Sequence, residues 1–113
     1  MHELWLCKSI LEIITQNAIE KNCKRIKKIV LEIGQLTAVE KNSLIFSFNV
    51  ITEGTVAEKA ELHIIDIPGQ ALCESCQTIV PLRQYYDECS ACGSHSLKVT
   101  QGEELRVKSM EIE

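Results

Sequence analysis

Hydrophobic residues recur with helical spacing near the start of the chain. Between residues 4 and 22 they fall at i, i+3, i+4, i+7 and i+11, with polar residues off that stripe. The stripe consists of Cys7, Ile10, Leu11, Ile14 and Ala18. This spacing predicts an amphipathic helix. After Lys24 and Arg25 the period changes to two, so residues 28–33 are predicted to form a strand that Gly34 closes.

A capping signal predicts a second helix. Thr37 and Glu40 fit the S/T-x-x-E pattern, in which the threonine caps the N3 amide and the glutamate reaches back to the amide of the cap. Apolar residues then follow at i, i+4 and i+7, namely Leu44, Phe48 and Ile51. Gly54 suits the C′ position, where a left-handed backbone ends a helix. Residues 60–67 are predicted to form the next strand.

The pattern changes between residues 70 and 95, where apolar periodicity disappears and four of the six cysteines occur. Residues 97–113 return to strand-like alternation, which Gly102 interrupts, and are predicted to pair with the first domain. The predicted fold is α+β, with two helices layered on a small, mostly antiparallel sheet and an inserted four-cysteine zinc-ribbon lobe. The predicted domains are an α/β domain of residues 1–69 and 97–113 and a ribbon of residues 70–96.

Composition and charge restrict the class of protein. The 113 residues, 45% hydrophobic and 25% charged, suit one folded domain with at most a small satellite. The net charge of −4 argues against tight binding to nucleic acid or anionic lipid. The sequence has no run of about 18 apolar residues and no signal-peptide pattern, so we expect a cytoplasmic protein without a membrane span. In that compartment cysteines stay reduced, and metal binding becomes the first interpretation of a cysteine cluster.

Two Cys-x-x-Cys motifs predict a metal site. Twelve residues separate the pair Cys73 and Cys76 from the pair Cys89 and Cys92, which is close to the template of four-cysteine zinc sites. Two such turns complete a tetrahedron around Zn²⁺ with no position open for water, which indicates a structural site. The alternatives are a pair of disulfides and a thioredoxin-like redox motif. Both fit less well, because nothing in the sequence indicates secretion or a βαβ context.

The remaining cysteines and histidines have structural interpretations. His95 lies three residues after Cys92 and is an alternative ligand if a thiolate is lost. Cys7 lies on the apolar stripe of the first helix and Cys23 just past the end of that helix, so we expect both to act as small packing residues. His63 lies within a predicted strand and is also expected to be structural.

The first three residues offer a second metal site. The α-amine of Met1 with the amide nitrogen and imidazole of His2 can form fused chelate rings, a nitrogen-rich set that suits Ni(II) or Cu(II). Glu3 adds a carboxylate near the positive end of the helix dipole. The alternative is that these residues are an accidental start of the chain. Glu40 also has two interpretations, a helix-capping role or a carboxylate that reaches a metal.

Several short motifs occur together over the whole sequence. They are Met1-His2-Glu3, Leu31-Glu-Ile-Gly34 followed by Val39-Glu40, Gly54-Thr55, Ala60-Glu-Leu62, the two cysteine pairs with Gly93, and Gly102-Glu-Glu-Leu105. Jointly they resemble the HypA family of hydrogenase and urease nickel-incorporation metallochaperones, small proteins of the maturation pathway. The likeness extends over essentially all 113 residues.

The resemblance implies a function, ligands and partners. It implies a protein that carries Ni²⁺ for the maturation of [NiFe] hydrogenase, or in some bacteria urease, and catalyses no reaction itself. The implied nickel ligands are His2, with the Met1 amine and Glu3 nearby, in the α/β domain. The implied ligands of a structural Zn²⁺ are Cys73, Cys76, Cys89 and Cys92. The implied partners are a HypB-type GTPase and the immature large subunit of a [NiFe] hydrogenase.

One departure from the family pattern concerns the cysteine motifs. Some family members carry a histidine directly beside a knuckle cysteine, whereas Gln77 follows Cys76 and Gly93 follows Cys92 here. Switching of zinc ligands through such histidines is therefore not implied for this chain.

The rival interpretation is a zinc-ribbon protein-interaction module whose N-terminus binds no nickel. A nucleic-acid-binding ribbon fits less well, because Lys and Arg are scattered and the cysteine region lacks a basic stripe with interleaved aromatic residues. A metal hydrolase would need an open coordination position and a paired general base, and the sequence offers neither. Apolar strand edges permit a homodimer but do not require one.

Overall fold

The computed structural model of the chain describes the backbone of residues 2–113 and the side chains of residues 4–113. Its elements are α1 His2–Glu20, β1 Ile26–Gly34, a 3-10 turn Gln35–Thr37, α2 Lys41–Ile51, β2 Glu61–Ile67, β3 Gln70–Cys73, β4 Ile79–Pro81, β5 Leu97–Gln101 and β6 Leu105–Ile112. In this part of the chain the strands form two three-stranded sheets, ordered β2-β1-β6 and β4-β3-β5. The predicted α+β class is confirmed. Neither described helix has the length and apolar character needed to cross a membrane.

The chain divides into two compact units. Unit 1 contains Met1–Leu31, Val39–Ile65 and Arg106–Glu113, and unit 2 contains Glu32–Ala38 and Asp66–Leu105. The ribbon segment predicted from the sequence, residues 70–96, falls entirely within unit 2. The assignment of nickel binding to one domain and zinc binding to the other stays a prediction.

The apolar stripe of α1 supplies part of the core of unit 1. Four of its five residues, Cys7, Ile10, Ile14 and Ala18, are buried, and Leu11 is half-buried. The Cys7 thiol donates to the carbonyl of Leu44 in α2 (3.3 Å), and Leu44 and Phe48 are fully buried. The helical period seen in the sequence is therefore confirmed for both helices, and the expectation that Cys7 packs in the interior is confirmed with it.

The start of α2 differs from the prediction. The Thr37 hydroxyl donates to the Gly34 carbonyl (2.7 Å) within the 3-10 turn, so Thr37 does not cap the helix. The N-cap is Glu40, whose carboxylate accepts from the amides of Asn42 (3.2 Å) and Ser43 (2.6 Å). The Ser43 side chain, the Ser43 amide and the Asn42 amide hold the pKa of Glu40 below its usual value. A capping role for Glu40 is thus present, but it differs from the one that S/T-x-x-E predicts.

The end of α2 also differs slightly from the prediction. Thr52 is the C-cap, and its amide donates to the Phe48 carbonyl (3.1 Å). Gly54 has the predicted left-handed backbone, with φ of 78°, but lies one residue beyond the C′ position.

The C-terminal stretch forms two strands in two different sheets. We expected residues 97–113 to be one interrupted strand paired with the first domain, and for β5 this is wrong. Strand β5 pairs antiparallel with β3, with Cys73 opposite Leu97. The interruption at Gly102, where φ is 111°, separates β5 from β6, which lies beside β1.

Three glycines of unit 2 lie where backbone segments approach closely. A Cβ on Gly34 would be 1.9 Å from the Gly102 carbonyl oxygen, and a Cβ on Gly69 would be 2.0 Å from the Leu82 carbonyl oxygen. Hydrogen bonds hold this approach, because the Leu36 amide donates to Gly102 (2.9 Å) and the Leu82 amide donates to Gly69 (2.9 Å). The absence of a Cβ, and not only backbone freedom, is what these positions require.

The core of unit 2 includes a residue that the sequence did not single out. Leu36 lies in the 3-10 turn, yet it packs with Ala71 and Leu82, and Leu97 and Val99 cover this cluster. The turn between β1 and α2 therefore contributes to the unit that contains the cysteines.

Candidate metal centre

The two Cys-x-x-Cys motifs form two turns with the same hydrogen bonds. In the first turn the Cys73 amide donates to the Thr78 carbonyl (2.9 Å), and the Gln77 amide donates back to Cys73 (2.8 Å). In the second turn the Cys89 amide donates to the Ser94 carbonyl (2.7 Å), and the Gly93 amide donates back to Cys89 (2.8 Å). Each turn therefore presents its two thiols in the same way.

A left-handed residue closes each turn directly after the second cysteine. Gln77 has φ of 62° and Gly93 has φ of 78°. Glycine adopts this backbone without strain, whereas glutamine does so at a cost. The Gln77 side-chain amide donates to the Glu74 carbonyl across the first turn (3.0 Å), a local contact that glycine cannot make.

The four sulfur atoms lie close enough together to bind one tetrahedral zinc ion. All of them are within 4.8 Å of one another. The Sγ atoms of Cys73 and Cys92 are 3.6 Å apart, and those of Cys76 and Cys89 are 3.7 Å apart. A tetrahedron with Zn–S bonds of about 2.3 Å has S···S edges of about 3.8 Å. A disulfide requires about 2.05 Å, so neither of these pairs is bonded.

The protein supports the sulfur atoms from two directions. Cys73 and Cys89 are buried and pack with Val80, while Leu97 covers the same cluster. The amides of Cys76 and Ala91 point at the sulfur atoms of Cys73 and Cys89, each at 3.4 Å. Amide donors of this kind favour thiolates over thiols and fix the direction of the ligand atoms.

In the absence of a cation, the pKa values of the Cys76 and Cys92 thiols are shifted in opposite directions. Hydrogen bonding from the Thr78 side chain lowers the pKa of Cys76 to about 6, although burial opposes this. A backbone hydrogen bond from Ser94 lowers the pKa of Cys92, but contact with the other thiols and burial raise it overall to about 12. Four adjacent thiols cannot all ionise together unless a cation compensates their charge, which matches the requirement of a metal centre.

The structure brings together the four cysteines that the spacing predicted. Among the described residues they form the group suited to a metal ion, and His95, which is exposed, is not part of it. The sequence did not predict one contact at this site. The hydroxyls of Ser75 and Ser94 are 3.0 Å apart and connect the two turns. The sequence places a serine in each turn but does not show that the two face each other.

The other candidate residues lie away from the cysteine cluster or outside the described part of the chain. Met1 and the side chains of His2 and Glu3, the predicted nickel ligands, lie outside the described residues. His63 is exposed on β2. Cys23 is partly buried, and its thiol donates to the Arg25 carbonyl (3.0 Å).

We expect Gly93→Ala to weaken zinc binding. The substitution meets no atom within 4 Å, so its cost is the left-handed backbone alone, about 1–2 kcal/mol, or about a 5- to 30-fold loss of affinity. Competition with a chromophoric chelator measures this loss. Gly54→Ala is the matched control, because Gly54 has the same φ of 78° and equally open surroundings but lies in unit 1. Equal zinc affinities for the two variants would contradict the expectation.

Comparisons with family models and with individual relatives identify the same family. The family model described as "Hydrogenase/urease nickel incorporation, metallochaperone, hypA" matches residues 1–112. The chain is 66% identical to the hydrogenase maturation factor HypA of Legionella pneumophila strain Lens and 44% identical to that of Azotobacter vinelandii, in both cases over 113 residues and 100% of each chain.

Two solved structures are similar as well. The solution structure of the Ni metallochaperone HypA from Helicobacter pylori is 26% identical, with a TM-score of 0.70 over 97% of this chain and 96% of that one. A second solution structure of a HypA protein is 28% identical, with a TM-score of 0.74 over 100% of this chain and 97% of that one.

Proposed function

The chain belongs to the HypA family of hydrogenase and urease nickel-incorporation metallochaperones, and on that premise we propose that it binds Ni²⁺ at its N-terminus and delivers it for maturation of [NiFe] hydrogenase. The observation that carries the proposal is the family match over residues 1–112, because it spans the N-terminal motif and both cysteine motifs. Delivery for urease is the alternative destination that the family description names.

Structural zinc held by Cys73, Cys76, Cys89 and Cys92 is the second part of the proposal. The sulfur separations of 3.6 and 3.7 Å, the amides directed at two of the sulfurs and the buried side of the cluster support it. Bound zinc would link β3 to the second turn and stabilise unit 2. Four thiolates leave no position for water, so the site supports no hydrolytic chemistry. We propose that the protein carries metal and catalyses no reaction itself.

Nickel is the proposed cargo, and because it must be released again, its site should bind more weakly than the structural zinc site. The Met1 amine, the His2 amide nitrogen and the His2 imidazole are the proposed ligands, with Glu3 contributing a carboxylate. The positive end of the α1 dipole disfavours a cation at this place, whereas the charge of Glu3 favours it. Opposed contributions of this kind suit an ion that is bound and later released.

The proposed partners follow from delivery. They are a HypB-type GTPase and the immature large subunit of a [NiFe] hydrogenase, and a homodimer is compatible with the proposal. The proposed division of labour has the predicted α/β domain bind nickel and the ribbon, residues 70–96, bind zinc and position partners. The proposed compartment is the cytoplasm, whose reducing conditions keep the four thiols available for zinc.

We expect the nickel site to require a free amine next to His2. Equilibrium dialysis of tag-free, zinc-loaded protein should give about one nickel per chain, and a variant with one glycine before Met1 should bind far less. This extension keeps His2 but moves the amine away from it. A glycine added after Glu113 is the matched control and should leave nickel binding unchanged.

If the protein and its N-terminally extended variant bind nickel equally, or if neither binds, the N-terminal chelate is wrong. A zinc-ribbon protein-interaction module without a nickel role is then the better function for this chain.

A further inference from the structure

The cationic residues of unit 1 are concentrated in one short stretch. Residues 21–28 contain five lysines and arginines and no acidic residue, namely Lys21, Lys24, Arg25, Lys27 and Lys28. The whole chain has 12 such residues against 16 acidic ones, so the sign of the charge is reversed locally. Neither the proposed nickel site nor the zinc site uses these residues.

Two of these cations and a third from another segment surround one cavity. Lys24, Arg25 and Lys59 line an open cavity of about 370 Å³ in unit 1. The Ile26 amide donates to the Val56 carbonyl (2.9 Å), which joins the basic stretch to the turn that carries Lys59. Lys59 has a left-handed backbone with φ of 63°, a conformation in which glycine is unstrained. We call these three residues the basic surface.

The charge of the basic surface is only partly compensated. All three side chains are exposed, and among residues 4–113 none of them forms an ion pair. Glu58 also lines the cavity, and its carboxylate, which accepts a hydrogen bond from the Gly54 amide, contributes one negative charge. Glu113 lies nearby as well, because its amide donates to the Arg25 carbonyl (2.9 Å). The side chains that line the cavity carry three positive charges and one negative charge, an excess of two that the nearby Glu113 carboxylate reduces, and the rest of residues 21–28 adds only positive charge.

The backbone of the cavity argues against a dedicated phosphate site. Such sites present free backbone amides to the anion. Here three amides of the turn are used internally, because those of Thr55 and Glu58 donate to carbonyls at 3.0 and 3.1 Å and that of Ala57 donates to the Thr55 hydroxyl at 3.2 Å. The lining also contains no aromatic side chain on which a base could stack. Long, exposed cations without an amide cradle suit carboxylates distributed along a peptide.

We propose that the basic surface docks an acidic segment of a partner protein. Exposed charges of this kind contribute little energy each, but together they steer association and make it depend on salt. The occupant is thus a segment rich in Asp and Glu, which binds strongly at low ionic strength and weakly above a few tenths molar salt, where charges are screened within about 3–8 Å. The proposal does not depend on which metal the protein carries.

Binding of a fluorescent polyglutamate peptide to the full, zinc-loaded chain tests the proposal. The variant Lys24→Gln, Arg25→Gln, Lys59→Gln removes three charges at the basic surface. The control Lys8→Gln, Lys98→Gln, Lys108→Gln removes the same charge from exposed lysines elsewhere. We expect the first variant to weaken binding about tenfold at low salt and the control less than about twofold. Far-UV circular dichroism and zinc content should be unchanged in both.

Three results would overturn the proposal. Equal weakening in both variants would mean that only net charge matters, and no binding by the unsubstituted chain at low salt would mean that the surface docks no acidic segment. Tighter binding of pyrophosphate than of the peptide, lost in the first variant alone, would make the cavity a phosphate site. Nickel stoichiometry is measured in parallel, so failure here is distinct from failure of the nickel proposal.

Discussion

Cys73→Ser is expected to abolish zinc binding and to unfold unit 2. Zinc bound by four cysteines contributes about 10–16 kcal/mol in small zinc domains, and that energy is available only to the folded form. Cys73 is also fully buried and ends β3, so serine would leave a polar hydroxyl in a cluster formed with Val80 and Cys89. Loss of the metal therefore removes the main stabilisation of the β4-β3-β5 sheet.

Amide hydrogen exchange of zinc-loaded protein measures this result. Protection of the turn amides of Gln77 and Gly93 should be lost in Cys73→Ser, and also after chelation of zinc from the unsubstituted chain. Cys23→Ser is the matched control, because that thiol lies outside the cluster and bonds only to a nearby carbonyl. Retained protection with full zinc content in Cys73→Ser would show that the four cysteines do not act as one site.

Gly34→Ala is expected to be severely destabilising, although it lies away from the cysteines. The new Cβ would lie 1.9 Å from the Gly102 carbonyl oxygen and 2.6 Å from the Glu103 amide nitrogen, so backbone atoms must move. Hydrogen bonds from the Gly34 amide to Glu104 and from the Leu36 amide to Gly102 would be strained together. We expect a loss of about 4 kcal/mol or more in the free energy of unfolding, in the range of severe packing defects.

Urea unfolding followed by circular dichroism and zinc release measures this loss. Gly54→Ala is the comparison, since it has open space around its Cβ and should lose only about 1–2 kcal/mol from its left-handed backbone. If the two alanine variants unfold at similar urea concentrations, the close approach at Gly34 does not constrain the fold.

Much of the fold was readable from local patterns. Four of the five residues of the α1 stripe, Cys7, Ile10, Ile14 and Ala18, are buried as its period predicts, and the alternation at residues 60–67 corresponds to β2. These predictions succeeded because the period of a helix or strand is a local property that determines which side chains share a face. The pairing of two Cys-x-x-Cys motifs succeeded for a similar reason, since tetrahedral coordination leaves few arrangements for that spacing.

The errors arose where local signals have more than one solution. The S/T-x-x-E pattern at Thr37 is genuine, but Thr37 bonds back to Gly34 in a 3-10 turn and Glu40 caps α2 instead. Both arrangements satisfy the first amides of the helix, and packing of Leu36 in unit 2 accompanies the observed one. The strand-like pattern after residue 97 likewise could not indicate that β5 pairs with β3 while β6 lies beside β1.

The sequence by itself determined the class of fold, the residues of the metal cluster and the family. Each of these depends on residue types at short, fixed spacings, which are visible without coordinates. Only the tertiary structure decided that Gly34, Gly69 and Gly102 exclude a Cβ, that Ser75 meets Ser94, and that Lys59 joins Lys24 and Arg25 around one cavity. These contacts join residues that are 13 to 69 positions apart. Such partners are chosen by the packing of whole elements, on which the local pattern of a chain carries no information.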